Sequence, residues 1–161
     1  MEKMRVYFTK DGLESLEREI DEANTRALTA AIQVAESVQD ERGDEYGNAG
    51  FMDGERVINM WAKKAKELIR LRNSATIVDP EPNDGTVKIG RLVAVREMFS
   101  GRGRAFRVGS FLVFEKRKMG KIPTFSYTAP LVAPLLGTEV GDEVEFCHAN
   151  KNHHYKVIKI E

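Results

Sequence analysis

The sequence predicts an α+β protein, in which an N-terminal antiparallel helical hairpin (coiled coil) precedes a small antiparallel β-sheet domain with one short helix. In the first half, apolar residues recur three and four positions apart, which is the spacing of a coiled-coil seam. After a segment with two prolines, residues 79–85, the apolar period becomes strand-like. We therefore place the hairpin at residues 1–79 and the sheet domain at residues 80–161.

Two apolar seams in the first half run in opposite directions around a short acidic loop. Pairs of seam residues, such as Val34 with Ile58, keep nearly the same midpoint along the chain, as an antiparallel hairpin requires. That midpoint places the turn near Glu45, inside an acidic tip at residues 40–48. The first seam consists of Leu13, Leu16, Ile20, Ala23, Ala27, Ala30 and Val34. The second consists of Ile58, Trp61, Ala65 and Leu68, continued by Leu71 or Arg72 and then by Ala75 and Val78.

The first helix is expected from about Leu13 to about Val38, with Thr9 or Asp11 accepting hydrogen bonds from its first amides. At 1.5 Å per residue it would be roughly 40 Å long. The second helix is expected to begin within residues 49–55, because glycines loosen the tip, and to continue to about Ala75.

In the sheet domain, a short helix is expected at residues 129–136, with Pro130 in its first turn and Gly137 at its end. His153 and His154 are expected in a turn before the last strand. Runs of β-branched and aromatic residues predict strands at residues 87–89, 92–95, 105–108, 111–114, 144–146 and 155–160.

Composition excludes several classes of function. The formal net charge is zero, so no global field attracts nucleic acid and any basic surface must be local. Cys147 is the only cysteine, which excludes an internal disulfide and a zinc site built from cysteines. No apolar stretch is long enough to cross a bilayer and no signal peptide is evident, so we expect a cytoplasmic protein without membrane contact.

Five short segments carry a resemblance that covers nearly the whole chain. They are residues 8–13 (Phe-Thr-Lys-Asp-Gly-Leu), Gly43-Asp44 with Asn48-Ala49, residues 75–79 (Ala-Thr-Ile-Val-Asp), residues 126–131 (Ser-Tyr-Thr-Ala-Pro-Leu) and residues 135–144 (Leu-Leu-Gly-Thr-Glu-Val-Gly-Asp-Glu-Val). On these segments the sequence resembles the Gre family of bacterial transcript-cleavage factors (GreA/GreB). The resemblance implies that the second domain has an FKBP-like fold.

The resemblance also implies a function. The FKBP-like domain would dock on the rim of the secondary channel of RNA polymerase, through exposed residues around 126–131, while the hairpin enters the channel. The tip carboxylates Asp44, Glu45 and Glu41 would act at the polymerase active site, on the 3′ end of a backtracked nascent RNA. The polymerase itself cuts the RNA, so the protein is not expected to be an enzyme or to have a cofactor of its own. It is also expected to be a monomer. It would share Mg²⁺ with the polymerase, held by Asp44 and Glu45 only in the complex, because Mg²⁺ favours carboxylate oxygens.

The tip departs from the family pattern, which leaves two functions open. The cleavage-competent tip of the family reads Gly-Asp-x-x-Glu-Asn-Ala-Glu-Tyr, whereas residues 43–51 read Gly-Asp-Glu-Tyr-Gly-Asn-Ala-Gly-Phe. Asp44 matches the aspartate, but Gly47 stands where the critical glutamate is expected and Gly50 replaces another acid. The protein is therefore either a cleavage factor that uses Asp44 with Glu45 or Glu41, or a channel-binding regulator or inhibitor of the polymerase that does not stimulate cleavage efficiently.

Basic residues of the second helix also have two interpretations. Arg42 and Arg56, close to the tip, either bind RNA phosphates or take part in charge pairs within the hairpin. Near the base of the hairpin, pairing with acids of the first helix is the expected role of Lys66, Arg70 and Arg72. Trp61 is expected to pack against Ala30 as a large residue against a small one.

Two other classes of protein compete with a polymerase-binding factor. An FKBP-like fold can house a peptidyl-prolyl isomerase, but the second domain has no tryptophan to form the floor of such a pocket. A protein that binds another coiled coil through its hairpin is disfavoured, because the two seams satisfy each other within one chain.

Overall fold

The structure is a computed structural model that describes residues 5–39, 47–79, 81–115 and 120–161. By proximity of Cα atoms the chain divides into two units. Glu14–Ala75 forms one, here called the helical unit, and Arg5–Leu13 together with Thr76–Glu161 forms the other, the sheet unit. The predicted domain boundary between residues 79 and 80 stays a prediction. No helix in the described ranges has the length and apolar character to cross a membrane.

Two long helices follow a short N-terminal strand. Strand β1 is Val6–Phe8, helix α1 is Lys10–Gln39 and helix α2 is Gly47–Asn73. Both helices begin earlier than the sequence predicts, and the predicted seam residues Ala75 and Val78 lie beyond the end of α2. Helix α1 begins earlier because Thr9 rather than Asp11 caps it: the Thr9 hydroxyl oxygen accepts a hydrogen bond from the Gly12 amide over 3.1 Å.

The buried apolar side chains of the helical unit all lie at predicted seam positions. Alternation of three and four residues places such side chains along one face of each helix, where they are removed from water. Full burial of one Leu or Ile side chain contributes roughly 1.5–3 kcal/mol. The hairpin seam is thus confirmed by the burial of Leu16, Ile20, Ala23, Ala30, Ala65 and Leu68.

The sheet unit contains a five-stranded sheet with the order β5-β4-β3-β7-β6. All neighbouring pairs are antiparallel except β4 and β5, which are parallel. A separate two-stranded sheet joins β1 to β2. The strands are β2 Ala75–Ile77, β3 Leu92–Glu97, β4 Gly103–Gly109, β5 Thr124–Ser126, β6 Glu143–His148 and β7 Lys151–Ile160. The predicted mostly antiparallel sheet is confirmed.

One face of the five-stranded sheet forms the core of this unit. Alternate residues of a strand point to the same face, and β3 and β4 each contribute two buried side chains while β7 contributes three. A 3₁₀ helix, Ala133–Leu135, packs its Leu135 into the same core. The sheet residues of this core are Val93, Val95, Phe106, Val108, Tyr155, Val157 and Ile160.

The short helix predicted at residues 129–136 is corrected to turns followed by that 3₁₀ helix. Pro134 has no amide hydrogen and cannot continue an α-helical hydrogen-bond ladder. The backbone instead forms tighter bonds, such as that from the Leu135 amide to the Val132 carbonyl at 2.9 Å. The predicted end of the segment at Gly137 agrees with its left-handed φ of 80°.

Two predicted strands are absent, and the structure contains short ones that the sequence did not indicate. Residues 87–89 are not a strand, because Val87 exchanges hydrogen bonds with Thr138 and Gly137 of a loop. Residues 111–114 are not a strand either, and the chain bends at residues 111 and 112. Strands β2 and β5 have three residues each, too few for an apolar period to show.

The predicted turn at His153 and His154 is wrong, since both residues lie within β7. The turn before β7 is formed by Ala149 and Asn150, whose φ angles are 51° and 60°. Two consecutive residues with positive φ are typical of a tight hairpin turn of type I′. The sequence did not reveal it because the usual second residue of such a turn is glycine.

Candidate functional site

Most of the predicted site residues fall, along the sequence, between the end of α1 and the start of α2. Asp44, Glu45, Glu41 and Arg42 fall at residues 40–46, outside the described residues, and their assignment stays a prediction. The structure describes the helix ends on either side, at Gln39 and Gly47, and the helical residues that follow.

Gly47 is the first residue of α2, and the first turn of this helix carries no acidic residue. The N-terminus of a helix has free amides and a partial positive charge, so a carboxylate is favourable there. The position at which the family pattern has its glutamate is thus one that a carboxylate would suit. Gly47 has a helical backbone, so no left-handed conformation requires glycine at this position. The effect of the glycine is to remove that carboxylate.

Arg56 is the one predicted site residue that the structure describes. Its guanidinium lies 3.7 Å from the Asp53 carboxylate one turn earlier in α2, and the two side chains are 81% and 76% exposed. Exposed ion pairs of this kind contribute little to stability and exchange partners readily. The Arg56 side chain therefore remains accessible to a phosphate, and its described ion pair is within its own helix rather than across the hairpin.

A close approach of the two helices occurs at Gly54. A Cβ atom at this position would collide with Cγ2 of Val34 in α1. Val34 is also the α1 seam residue predicted to pair with Ile58, one turn further along α2. The side chain of a helical valine is stiff and cannot easily turn away. In the present position of Val34, residue 54 can therefore only be glycine.

Trp61 forms a cation–π cluster across the hairpin. The Arg26 guanidinium of α1 lies 4.5 Å from the ring centroid, and the Lys64 ammonium of α2 lies 5.0 Å from it. Lys64 also pairs with Glu19 of α1 at 3.6 Å, and Arg26 pairs with Glu22. The half-buried indole thus has one cationic partner from each helix, and its predicted packing against Ala30 stays a prediction.

The pairing predicted for Lys66, Arg70 and Arg72 is not found. In the part of the chain that the structure describes, none of the three makes an ion pair within 4.0 Å. Arg70 and Arg72 instead occupy the last turn of α2, where cations are favourable beside the negative end of the helix dipole.

The segment expected to contact polymerase is held in place by Ser126. Its hydroxyl donates to the Phe111 carbonyl over 2.9 Å and lies 2.8 Å from the Thr128 hydroxyl. Thr128 and Pro130 are exposed next to it. The segment therefore presents a small surface whose backbone is already ordered.

The described residues offer no metal site of their own: no three His, Cys, Asp or Glu side chains among them are grouped so as to hold an ion. The predicted Mg²⁺ ligands Asp44 and Glu45, with Glu41 near them in sequence, lie outside the described residues and offer carboxylate oxygens. Such hard oxygen ligands fit Mg²⁺, which keeps several waters and takes one or two carboxylates.

Sequence reasoning missed a set of contacts around Tyr7 and Ser110. The Tyr7 amide donates to the Tyr127 hydroxyl over 3.3 Å, and the Thr9 amide donates to the Ser110 hydroxyl over 3.0 Å. These partners are more than a hundred positions apart. No local period signals such a pairing.

Comparison with known proteins gives a consistent set of similarities. A family model described as "Transcription elongation factor, GreA/GreB, C-term" matches residues 81–161. The chain is 24% identical over 156 residues to "Transcription elongation factor GreA" of Paracoccus denitrificans, covering 97% of each chain. It is 23% identical over 158 residues to the protein of the same name from Thermotoga neapolitana, again covering 97% of each. Among solved structures, GreA factor homolog 1 (Gfh1) of Thermus thermophilus is similar over 98% of this chain and 99% of its own, with 20% identity and a TM-score of 0.44.

Proposed function

Because the chain belongs to the GreA/GreB family of transcription elongation factors, we propose that it enters the secondary channel of RNA polymerase and stimulates cleavage of backtracked RNA by the polymerase. The observation that carries this proposal is the family match over residues 81–161, preceded by two long helices with acidic residues between them. Helix α1 has 30 residues. At 1.5 Å per residue it spans roughly 45 Å, which suits delivery of a tip to a remote site.

In this proposal Asp44 is the principal acid of the tip, with Glu45 or Glu41 as its partner. A Mg²⁺ ion shared with the polymerase would stabilise charge on the phosphodiester during hydrolysis. The carboxylates of this chain hold and orient groups at that position, and the bond is broken by the polymerase. The protein then needs no active site and no cofactor of its own, and it acts as a monomer.

Arg56, and Arg42 beside the acids, are proposed to contact phosphates of the RNA near its 3′ end. The exposure of Arg56 and its weak pairing with Asp53 support this role. A phosphate contact adds affinity that falls with salt, without reading sequence.

Docking on the rim of the channel is proposed for the sheet unit, at residues 126–131. The ordered backbone held by Ser126 and the exposure of Thr128 and Pro130 support this choice. A segment that is already ordered loses little conformational entropy on binding.

A second candidate function follows from Gly47. A first turn of α2 without an acid lacks the carboxylate of the cleavage-competent family tip, and water cannot supply its charge. The protein would then occupy the channel and regulate or inhibit the polymerase without efficient cleavage.

One experiment separates the two functions. Purified polymerase is stalled in a backtracked complex with end-labelled RNA, and shortening of the RNA is followed with and without this protein. Rapid shortening supports the cleavage factor. No shortening, together with competition against an active Gre factor, supports the channel-binding regulator. If the protein causes no RNA shortening and also does not compete with an active Gre factor, both functions are contradicted.

A further inference from the structure

The sheet unit contains a cavity of about 690 Å³ that the proposed function does not use. This volume lies within the range of roughly 300–1,000 Å³ that is typical of sites for small organic ligands. The walls of the cavity are mostly apolar and are formed by Tyr7, Val78, Val87, Ile89, Tyr127 and Leu136.

Two tyrosines give the cavity an aromatic side. Their ring centroids lie 6.1 Å apart at an angle of 65°, an edge-to-face arrangement that fixes both rings. The Tyr127 hydroxyl is held by the Tyr7 amide. The Tyr7 hydroxyl, in contrast, makes no hydrogen bond to any residue that the structure describes, so it remains able to donate to or accept from a ligand.

The rim of the cavity carries charges of both signs that are already engaged. Lys88 pairs with Glu81 at 3.2 Å and with Asp84. Arg91 donates to the backbone carbonyls of Glu81 and Pro82 over 2.7 Å each. The remaining charged groups of the rim are also paired: Arg107 with the Gly90 carbonyl, Asp79 with Lys10, and Glu161 with Lys159.

A rim of this kind does not favour an anion. Its three cations, Lys88, Arg91 and Arg107, are balanced by three carboxylates, Asp79, Glu81 and Glu161, so the rim has no net positive charge to attract a phosphate. Apolar walls with one free hydroxyl instead suit a neutral ligand that has a large apolar group and a single amide nearby.

We propose that this cavity binds a peptide segment by taking up one bulky apolar side chain, with an adjacent main-chain amide facing the Tyr7 hydroxyl. The inference rests on the cavity alone and does not depend on the proposed function. It gives the sheet unit a peptide-binding site that operates in the free protein, without polymerase.

The test uses the full-length chain labelled with ¹⁵N and three small probes. They are N-acetyl-phenylalanine amide, N-acetyl-alanine amide and AMP. Addition of the phenylalanine probe is expected to produce saturable shifts at the amides of Gly90 and Gly137, which line the cavity. The alanine probe should bind at least tenfold more weakly, because it buries much less apolar surface.

Two variants test the location. Leu136→Lys places a charge at a cavity wall residue that is 37% exposed, so the fold should tolerate it. Tyr7→Phe keeps the ring and removes only the free hydroxyl. The first should abolish the shifts and the second should weaken binding several-fold, whereas Phe99→Ala, at an exposed aromatic residue outside the cavity, should leave binding unchanged.

Three results would overturn the proposal. One is the absence of saturable shifts with the phenylalanine probe. Another is binding that Leu136→Lys does not affect, which would place the site elsewhere. The third is a preference for AMP over the phenylalanine probe, which would make the cavity a site for anionic nucleotides.

Discussion

The amide of Thr9 donates a 3.0 Å hydrogen bond to the hydroxyl of Ser110, and Ser110 is buried. The two hydroxyls lie 3.3 Å apart, and the Thr9 hydroxyl also accepts the Gly12 amide, so one small network caps α1. Gly12 packs directly on Ser110, because a Cβ atom at residue 12 would collide with the serine hydroxyl. The first turn of α1 is thereby part of the sheet unit.

Gly12→Ala is expected to destabilise the protein by about 1–3 kcal/mol, the usual result of adding a methyl group to a filled space. Thermal or urea unfolding of the full-length chain measures this loss. The matched control is Gly50→Ala in α2, where a Cβ would meet nothing within 4 Å. That change should stabilise the protein by about 0.5–1 kcal/mol, since alanine is the better helix former. Equal effects of the two variants would contradict the packing described for Gly12.

Gly54→Ala tests the close approach of the two long helices. The added methyl group collides with Val34, so we expect a loss of about 1–3 kcal/mol in the free energy of unfolding. Val34→Ala removes the colliding methyl group. The double variant should therefore lose less free energy of unfolding than the sum of the losses of the two single variants. Strict additivity, measured by the same unfolding assay, would show that the residues do not touch.

An exposed ion pair makes one titration predictable. The Lys88 ammonium, with Thr86, holds the pKa of Asp84 well below its usual value of 3.8, and Asp84 raises the pKa of Lys88 above 10.5. The Asp84 contribution to stability is present above its usual pKa and is lost as the pH falls through its folded value. The Lys88 contribution is present below its usual pKa and is lost as the pH rises through its folded value.

Lys88→Ala should raise the pKa of Asp84 toward 3.8, although the hydrogen bonds from Thr86 keep part of the depression. A titration of the carboxyl ¹³C shift of Asp84 measures the change. Lys121→Ala, which removes an exposed lysine elsewhere in the sheet unit, should leave that titration as it is.

The sequence predicted the features that depend on local periods. The seams of α1 and α2 follow from apolar spacing, and every buried apolar residue of the helical unit lies on them. Strands β3, β4, β6 and β7 follow from runs of β-branched and aromatic residues. The helix predicted at residues 129–136 failed because the effect of Pro134 on the hydrogen-bond ladder outweighed the caps at its two ends.

Features that depend on distant partners were not predictable in this way. The contacts of Thr9 with Ser110 and of Tyr7 with Tyr127 join parts of the chain that only the tertiary fold brings together. The strand β5 depends likewise on parallel pairing with β4. At the candidate site, sequence resemblance supplied the acids of the tip, and the structure adds Gly47 at the start of α2 and the accessible side chain of Arg56.

Gly47→Glu tests the role of the missing carboxylate. Glutamate forms helices better than glycine and is favourable at the N-terminus of α2, so the variant should fold at least as well as the original chain. We expect it to increase the rate of RNA cleavage in backtracked complexes by about tenfold. This factor corresponds to a barrier lowered by about 1.4 kcal/mol. Gly50→Ala changes a nearby glycine without adding charge and should not increase that rate.

The most direct test of the account compares RNA shortening in backtracked elongation complexes for the original chain, Asp44→Ala and Glu36→Ala. Glu36 is an exposed acid of α1 outside the proposed set, so its variant controls for the loss of one negative charge. The account predicts rapid release of short 3′ fragments by the original chain and by Glu36→Ala, and almost none by Asp44→Ala. Equal release by all three proteins, or no release above that of polymerase alone, would contradict it.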